Sequence, residues 1–207
     1  MKRRLLLIVS ISGLLLYGSA AAATAATHHH ATGTRGPSSS AQNCVAQAEP
    51  AGSMVTPTAT CYATFSAAIR AATGGRVMLP ATATPASVTP AMIHEWNARP
   101  QASGRSEGPA VTFVLSIDYK NANLGTPSLT WTQSSDCGKF QAASMPSGWN
   151  DVISSLVTSA DCANSLYQNT NFGGMRLDIS KNTTRNGLGD FNDITSSQKW
   201  CTAKPCL

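Results

Sequence analysis

The chain has 207 residues, 42% of them hydrophobic but only 12% charged and 6% aromatic, with a formal charge of +5. Three of the fifteen basic residues, and none of the ten acidic ones, sit at positions 2–4, so the remainder carries about +2 and holds no Lys/Arg cluster. That excludes the electrostatic stripe nucleic-acid binding needs, and low charge with abundant Ala, Thr, Ser and Gly points to short strands and loops rather than long charged helices.

Lys2, Arg3 and Arg4, the apolar run 5–16 and the small-residue stretch 18–26 follow the layout of a secretory signal peptide, with cleavage expected between Ala21 and Ala26. The apolar run is shorter than the ~20 residues needed to span a bilayer. Residues 1–26 are therefore read as a signal, the protein as secreted, and no membrane span is expected after cleavage. Residues 27–43 are polar and rich in Gly, Pro and Ser, as expected of a disordered leader. All six cysteines, Cys44, Cys61, Cys137, Cys162, Cys201 and Cys206, lie beyond the signal and read as three disulfides. Of about fifteen possible connectivities, the sequential one, 44–61, 137–162 and 201–206, is expected because each bridge closes a local segment or joins neighbouring units. No cysteine or histidine spacing suggests zinc.

Residues 44–110 read as a small disulfide-stapled N-terminal module with one short helix. Thr64 can cap a helix over 64–73 that Gly74 and Gly75 close, and Phe65, Ala68, Ile69 and Ala72 share one face. Residues 76–80 are expected as a short strand, and the proline-bearing stretch 81–108 as irregular. From residue 111 the period becomes two. Val111, Phe113, Leu115, Ile117 and Tyr119 alternate with Thr112, Val114, Ser116 and Asp118, Leu129 alternates with Trp131, and Met175, Leu177 and Ile179 repeat the pattern. Asp118 and Asp178 are placed on outward strand faces.

Within this half the hexapeptide Asn150-Asp151-Val152-Ile153-Ser154-Ser155 recurs as Asn192-Asp193-Ile194-Thr195-Ser196-Ser197. Upstream, residues 119–126 align without a gap on residues 167–174, sharing the Tyr, two Asn and one Gly. The two landmarks are displaced by 48 and 42 residues, so the copies differ by a six-residue insertion. A repeat of this period is one supersecondary unit that cannot bury its own apolar face, so two must pack together.

Tyr167, Phe172 and Gly174, followed by the second hexapeptide and Trp200, resemble the Greek key unit of the βγ-crystallin superfamily, including its calcium-binding loop. The first copy keeps the hexapeptide, with Trp149 before it, but has Leu124 where the family has an aromatic and Thr126 where it has glycine. The resemblance covers about residues 111–201. It implies an all-β fold: a two-sheet β-sandwich of two Greek key motifs over 111–207. It also implies paired loops that share calcium. Asn150, Asp151, Ser154 and the Val152 carbonyl would combine with Asn192, Asp193, Ser196 and the Ile194 carbonyl, completed by a carbonyl near Lys120 or Gln168. These donors suit a hard cation that takes six to eight oxygens, and one carboxylate per loop predicts weak binding, about 10⁻⁵ to 10⁻³ M.

The single histidine outside the leader, His94, has no nucleophile elbow or metal-binding partner beside it in sequence, and six oxidised cysteines leave no thiol nucleophile. The expectation is a monomeric, non-enzymatic protein with a structural or stress-related role and calcium ions as partners. The alternative is a protease inhibitor or toxin-like effector on the same fold. It would act on a secreted protease or a cell-envelope component through the insertion 134–143, with Lys139 and Phe140 as contact residues.

Overall fold

Alternating side chains make a strand two-faced, and the strand Phe113–Asn121 of this fold finds a partner surface on both faces. The computed structural model describes residues 43–99 and 112–207; the expected signal, most of the expected leader, and Val111 lie outside them. The strands are β1 (Asn43–Gln47), β2 (Glu49–Pro50), β3 (Ala59–Tyr62), β4 (Phe113–Asn121), β5 (Gly125–Gln133), β6 (Phe140–Ala142), β7 (Ser155–Thr158), β8 (Ala163–Tyr167), β9 (Arg176–Ile179), β10 (Thr184–Arg185) and β11 (Ser197–Cys201). Two helices, α1 (Phe65–Ala72) and α2 (Pro90–Ala98), precede β4.

The strands form two sheets, in the order β10-β7-β4-β5-β1-β3 and β2-β6-β11-β8-β9. The repeat explains this order. β4 to β7 form the first unit and β8 to β11 the second, and each unit gives its third strand to the other's sheet: β6 pairs with β11, and β10 with β7. A Greek key crossover of this kind makes the sheets interdependent. Between them lie Leu115, Leu129, Trp131, Leu156, Leu166, Ile179 and Trp200, with Trp149 and Phe191 entering from the residue before each hexapeptide. Trp131 and Trp200 meet with ring centroids 4.9 Å apart.

The segment before β4 is not a module set apart. β1 runs parallel to β5, with Asn43 opposite Ser128, and antiparallel to β3, while β2 joins the second sheet at β6. The helices cover the outer face of the first sheet. Phe65, Ile69 and Ala72 of α1 and Ile93 and Trp96 of α2 bury Val114, Ile117, Tyr119, Leu124 and Val157 in a second core. Helix α1 starts as its sequence predicts, with the Thr64 hydroxyl accepting from Ala67 N at 3.1 Å. Within the stretch 81–108, expected as irregular, helix α2 forms over Pro90–Ala98; residues 100–108 lie outside the described residues. Its signal is Thr89, whose hydroxyl accepts from Met92 N at 3.3 Å, followed by Pro90 in the first turn. The short strand expected at 76–80 does not form, because Arg76 turns into the helix pair. Its guanidinium donates to the carbonyls of Thr73, Asn97, Arg99 and Thr112, tying the ends of both helices to the start of β4.

The disulfides are Cys44–Cys61, Cys137–Cys162 and Cys201–Cys206. The second clamps the insertion, where Asn97 Nδ2 also donates to Asp136 Oδ1 at 2.8 Å. Phe140, expected as an exposed contact residue of that loop, is half-buried in β6 against the core; Lys139 beside it is exposed.

Strand β4 departs from simple alternation. A register shift between Val114 and Ser116 makes Leu115 an extra residue. Leu115 therefore packs between the sheets, while Val114, Ile117 and Tyr119 face the helices. Asp118 consequently points inward rather than outward and is fully buried. Its Oδ2 accepts from Trp131 Nε1 at 2.7 Å and Gln198 Nε2 at 2.6 Å, while Oδ1 has no partner among the described residues. Desolvation raises its pKa to about 6, against the lowering effect of the hydrogen bonds from Gln198 and Trp131. With the folded value above the unfolded one, this group favours the fold most below pH 4, and that contribution is lost as pH rises through about 6. Asp118→Asn keeps an acceptor for Trp131 and Gln198 but cannot ionise. It should abolish the fall in stability between pH 4 and 6, a fall of order 3 kcal/mol at about 1.4 kcal/mol per tenfold, measured by urea unfolding across that range.

Candidate metal centre

The two hexapeptides follow the residues that end β6 and β10, and the strand exchange sets them side by side. Their backbones are equivalent at each step. Asp151 and Asp193 both take left-handed conformations, φ 53° and 56°, which aspartate tolerates better than most residues. Asp151 N donates to Thr195 O and Asp193 N to Ile153 O, each at 3.0 Å, so each loop holds the other. Ser154 N donates to Tyr119 O and Ser196 N to Tyr167 O, each at 2.9 Å, which ties each loop to the tyrosine that opens its own unit.

The side chains repeat the reciprocity. Ser154 Oγ lies 3.0 Å from Asp193 Oδ1, and Ser196 Oγ lies 2.9 Å from Asp151 Oδ1. Four expected donors thus meet in two cross-loop pairs. Asn150 and Asn192 play a different part: each donates its amide to its own neighbour, to Asp151 Oδ2 at 2.7 Å and Asp193 Oδ2 at 2.6 Å, and so orients the carboxylate. Val152 and Ile194 rest their side chains against the sandwich core, which anchors the middle of each loop.

Around Ser154 the arrangement carries more oxygen than hydrogen. Its hydroxyl lies 2.8 Å from Lys120 O as well as 3.0 Å from Asp193 Oδ1, so a single proton faces two acceptors. A carbonyl, a carboxylate and a hydroxyl converging in this way are the ligand types of a hard divalent cation. Among the described residues no three of His, Cys, Asp and Glu are grouped as a metal site; coordination here would depend on hydroxyl and carbonyl oxygens beside one carboxylate. The residues present fit calcium by donor chemistry.

The last serine of each hexapeptide has a separate task that the repeat alone does not reveal. Ser155 Oγ donates to Asn121 O at 2.6 Å and accepts from Leu124 N at 3.0 Å; Ser197 Oγ donates to Asn169 O at 2.6 Å and accepts from Phe172 N at 3.1 Å. Each bridges the folded hairpin between the first two strands of its unit. Leu124 at φ 58° matches Phe172 at φ 63°, so the first hairpin folds despite lacking the aromatic. Gly174, at φ 74°, supplies a turn in the second copy where a Cβ would come within 2.9 Å of Asn169 and Gln168. Gly125 serves the first copy for a related reason, since a Cβ there would come within 2.8 Å of the Asn121 Cβ. Leu124 and Tyr119 are buried beneath the helices, whereas Phe172 packs edge-on against Tyr167, centroids 5.5 Å apart. Outside these loops, His94 Nδ1 lies 3.0 Å from Asp161 Oδ2 in an exposed pair.

Two interlocked four-strand units with paired oxygen-rich loops define this as a two-sheet β-sandwich with Greek key crossovers. Solved structures to which it is similar include βγ-crystallin domains. One, from a study of the evolution of the eye-lens βγ-crystallin fold, is 23% identical with a TM-score of 0.37, over 49% of this chain and 96% of its own. A domain from Flavobacterium johnsoniae is 26% identical with a TM-score of 0.33, over 45% and 99%. One from Clostridium beijerinckii is 24% identical with a TM-score of 0.33, over 43% and 99%. No protein-family model matches the sequence, and no curated protein is similar to it.

Ser155→Ala and Ser197→Ala should each destabilise the protein by about 1–3 kcal/mol, because each leaves an amide without its acceptor beside a carbonyl without its donor. Urea unfolding measures this, and any response to calcium should survive both substitutions.

Proposed function

We propose that this is an exported calcium-binding protein with a structural role, in which ions held between the two hexapeptide loops staple the Greek key units together. The observation that carries the reading is the cluster at Ser154, where one proton faces both the Lys120 carbonyl and the Asp193 carboxylate at 2.8 and 3.0 Å. A cation at this cluster takes the place of that proton in satisfying the acceptors. The matching Ser196–Asp151 pair at 2.9 Å supports a second site related to the first by the repeat. Three disulfides and a sequence opening laid out as a signal peptide support export, into surroundings where calcium is abundant and cystines persist.

The function follows from linkage. An ion that binds only the folded state adds about 2.7 kcal/mol when its free concentration is a hundred times Kd. That is a large share of the ~5–15 kcal/mol that holds a domain folded.

The test is thermal unfolding of the mature protein in EDTA and in millimolar calcium, repeated with Asp151→Asn plus Asp193→Asn. Asparagine tolerates the left-handed backbone and still accepts a hydrogen bond, so the EDTA melting temperature should change little. The calcium-dependent rise should appear in the wild type and vanish in the double variant. A wild type that melts at the same temperature in both buffers would overturn the reading.

A further inference from the structure

The two sheets expose four edges, and three of them are protected. β2 is two residues long and carries Glu49 and Pro50, β10 is two residues long and carries Arg185, and β9 carries Arg176 and Asp178. Short length, proline and charge are the usual means by which proteins keep edges from pairing. The fourth edge, β3, is four residues long, Ala59-Thr60-Cys61-Tyr62, and carries neither proline nor charge. Its backbone bonds to β1 on one side, and among the described residues nothing pairs with the other.

The end of β3 opens into a groove of about 670 Å³ against α1. Tyr62, Met78 and Leu79 form apolar walls, Met78 being 73% exposed, and Ala67 and Ala71 give a helix surface without protruding side chains. Arg70 is the one charged residue lining the groove, and its guanidinium has no carboxylate partner among the described residues. α1 packs on one face of this sheet, so every second side chain of a strand added beside β3 would face the groove.

We propose that β3 is a docking edge for an extended segment of a partner polypeptide, which adds as a further strand and places an acidic side chain against Arg70. Main-chain hydrogen bonds to β3 supply affinity, and the groove selects apolar residues flanking the carboxylate. A second copy of this chain fits poorly, because it would bring another Arg70 in place of a carboxylate. The site is remote in sequence from the hexapeptide loops and stands independently of calcium.

The test is amide NMR of the mature protein titrated with the capped peptide acetyl-Thr-Val-Asp-Val-Thr-amide. Its lysine counterpart and a form N-methylated at alternate amides serve as controls. Shifts should be confined to residues 59–62 and 66–79, Arg70→Glu should weaken the aspartate peptide at least tenfold while strengthening the lysine peptide, and the N-methylated form should not bind. No shifts at all, or equal binding of the three peptides, would overturn the proposal. So would dimerisation in analytical ultracentrifugation that Thr60→Lys abolishes, since the edge would then belong to a second copy.

Discussion

Each repeat unit lends its third strand to the other's sheet, and most of the architecture follows from that exchange. Neither unit can complete a sheet alone, because β6 finds its partner in β11 and β10 finds its partner in β7. The exchange also carries both hexapeptides to one place, since each follows a lent strand and must return to its own sheet. The cross-loop backbone bonds, Asp151 to Thr195 and Asp193 to Ile153, then fix the loops to each other. With the backbones fixed, Asp of one loop necessarily faces Ser of the other. The paired site is thus a product of the topology rather than of either loop's local sequence.

Much of this was legible in the sequence because a duplication reports twice. One Asn-Asp-x-x-Ser-Ser would read equally well as a turn with a cap, but two, each downstream of a similar tyrosine-led segment, specify a unit. The same logic singles out Tyr119 and Tyr167. Apart from the task of the last serine in each hexapeptide, what escapes is what the two copies do not share. Strict alternation places Asp118 on the solvent face because periodicity cannot reveal the bulge before it. Its neighbours Ser116 and Gln198 explain why a carboxylate is tolerated there: the interior already holds a polar network, in which Trp200 Nε1 donates to Ser116 Oγ at 3.0 Å. Helix α2 escapes the periodicity because its buried residues, Ile93, Trp96 and Asn97, are few and its start looks like a proline-rich break. Thr-Pro at a helix start, with threonine as the cap, is the feature that identifies it.

Covering the outer face of the first sheet changes what its strands must be. In a bare sandwich β4 would alternate apolar with polar; here Val114, Ile117 and Tyr119 are buried by the helices while Leu115, Ser116 and Asp118 are buried by the second sheet. Burial on both faces accounts for the near-continuous apolar reading of residues 113–119. Arg76 holds this cover in place, and at a position where three carbonyls end a helix a cation is favourable on dipole grounds as well as through hydrogen bonds.

The same N-terminal segment shifts where the sheet ends. Without β1 and β3, the edge of the first sheet would be β5, a nine-residue strand whose Ser128, Thr130 and Thr132 are fully or nearly buried. β1 covers that edge in parallel register and makes contacts a generic strand could not: Ser128 Oγ donates to Asn43 Oδ1 at 2.9 Å, and Gln133 Nε2 to Ala48 O at 2.6 Å. The disulfide from Cys44 to Cys61 then ties β3 to this strand. A long, specific edge has been exchanged for a short one anchored by a covalent bond. Such an edge can pair with a partner strand without straining the sandwich or disturbing the loops at the interface of the two units.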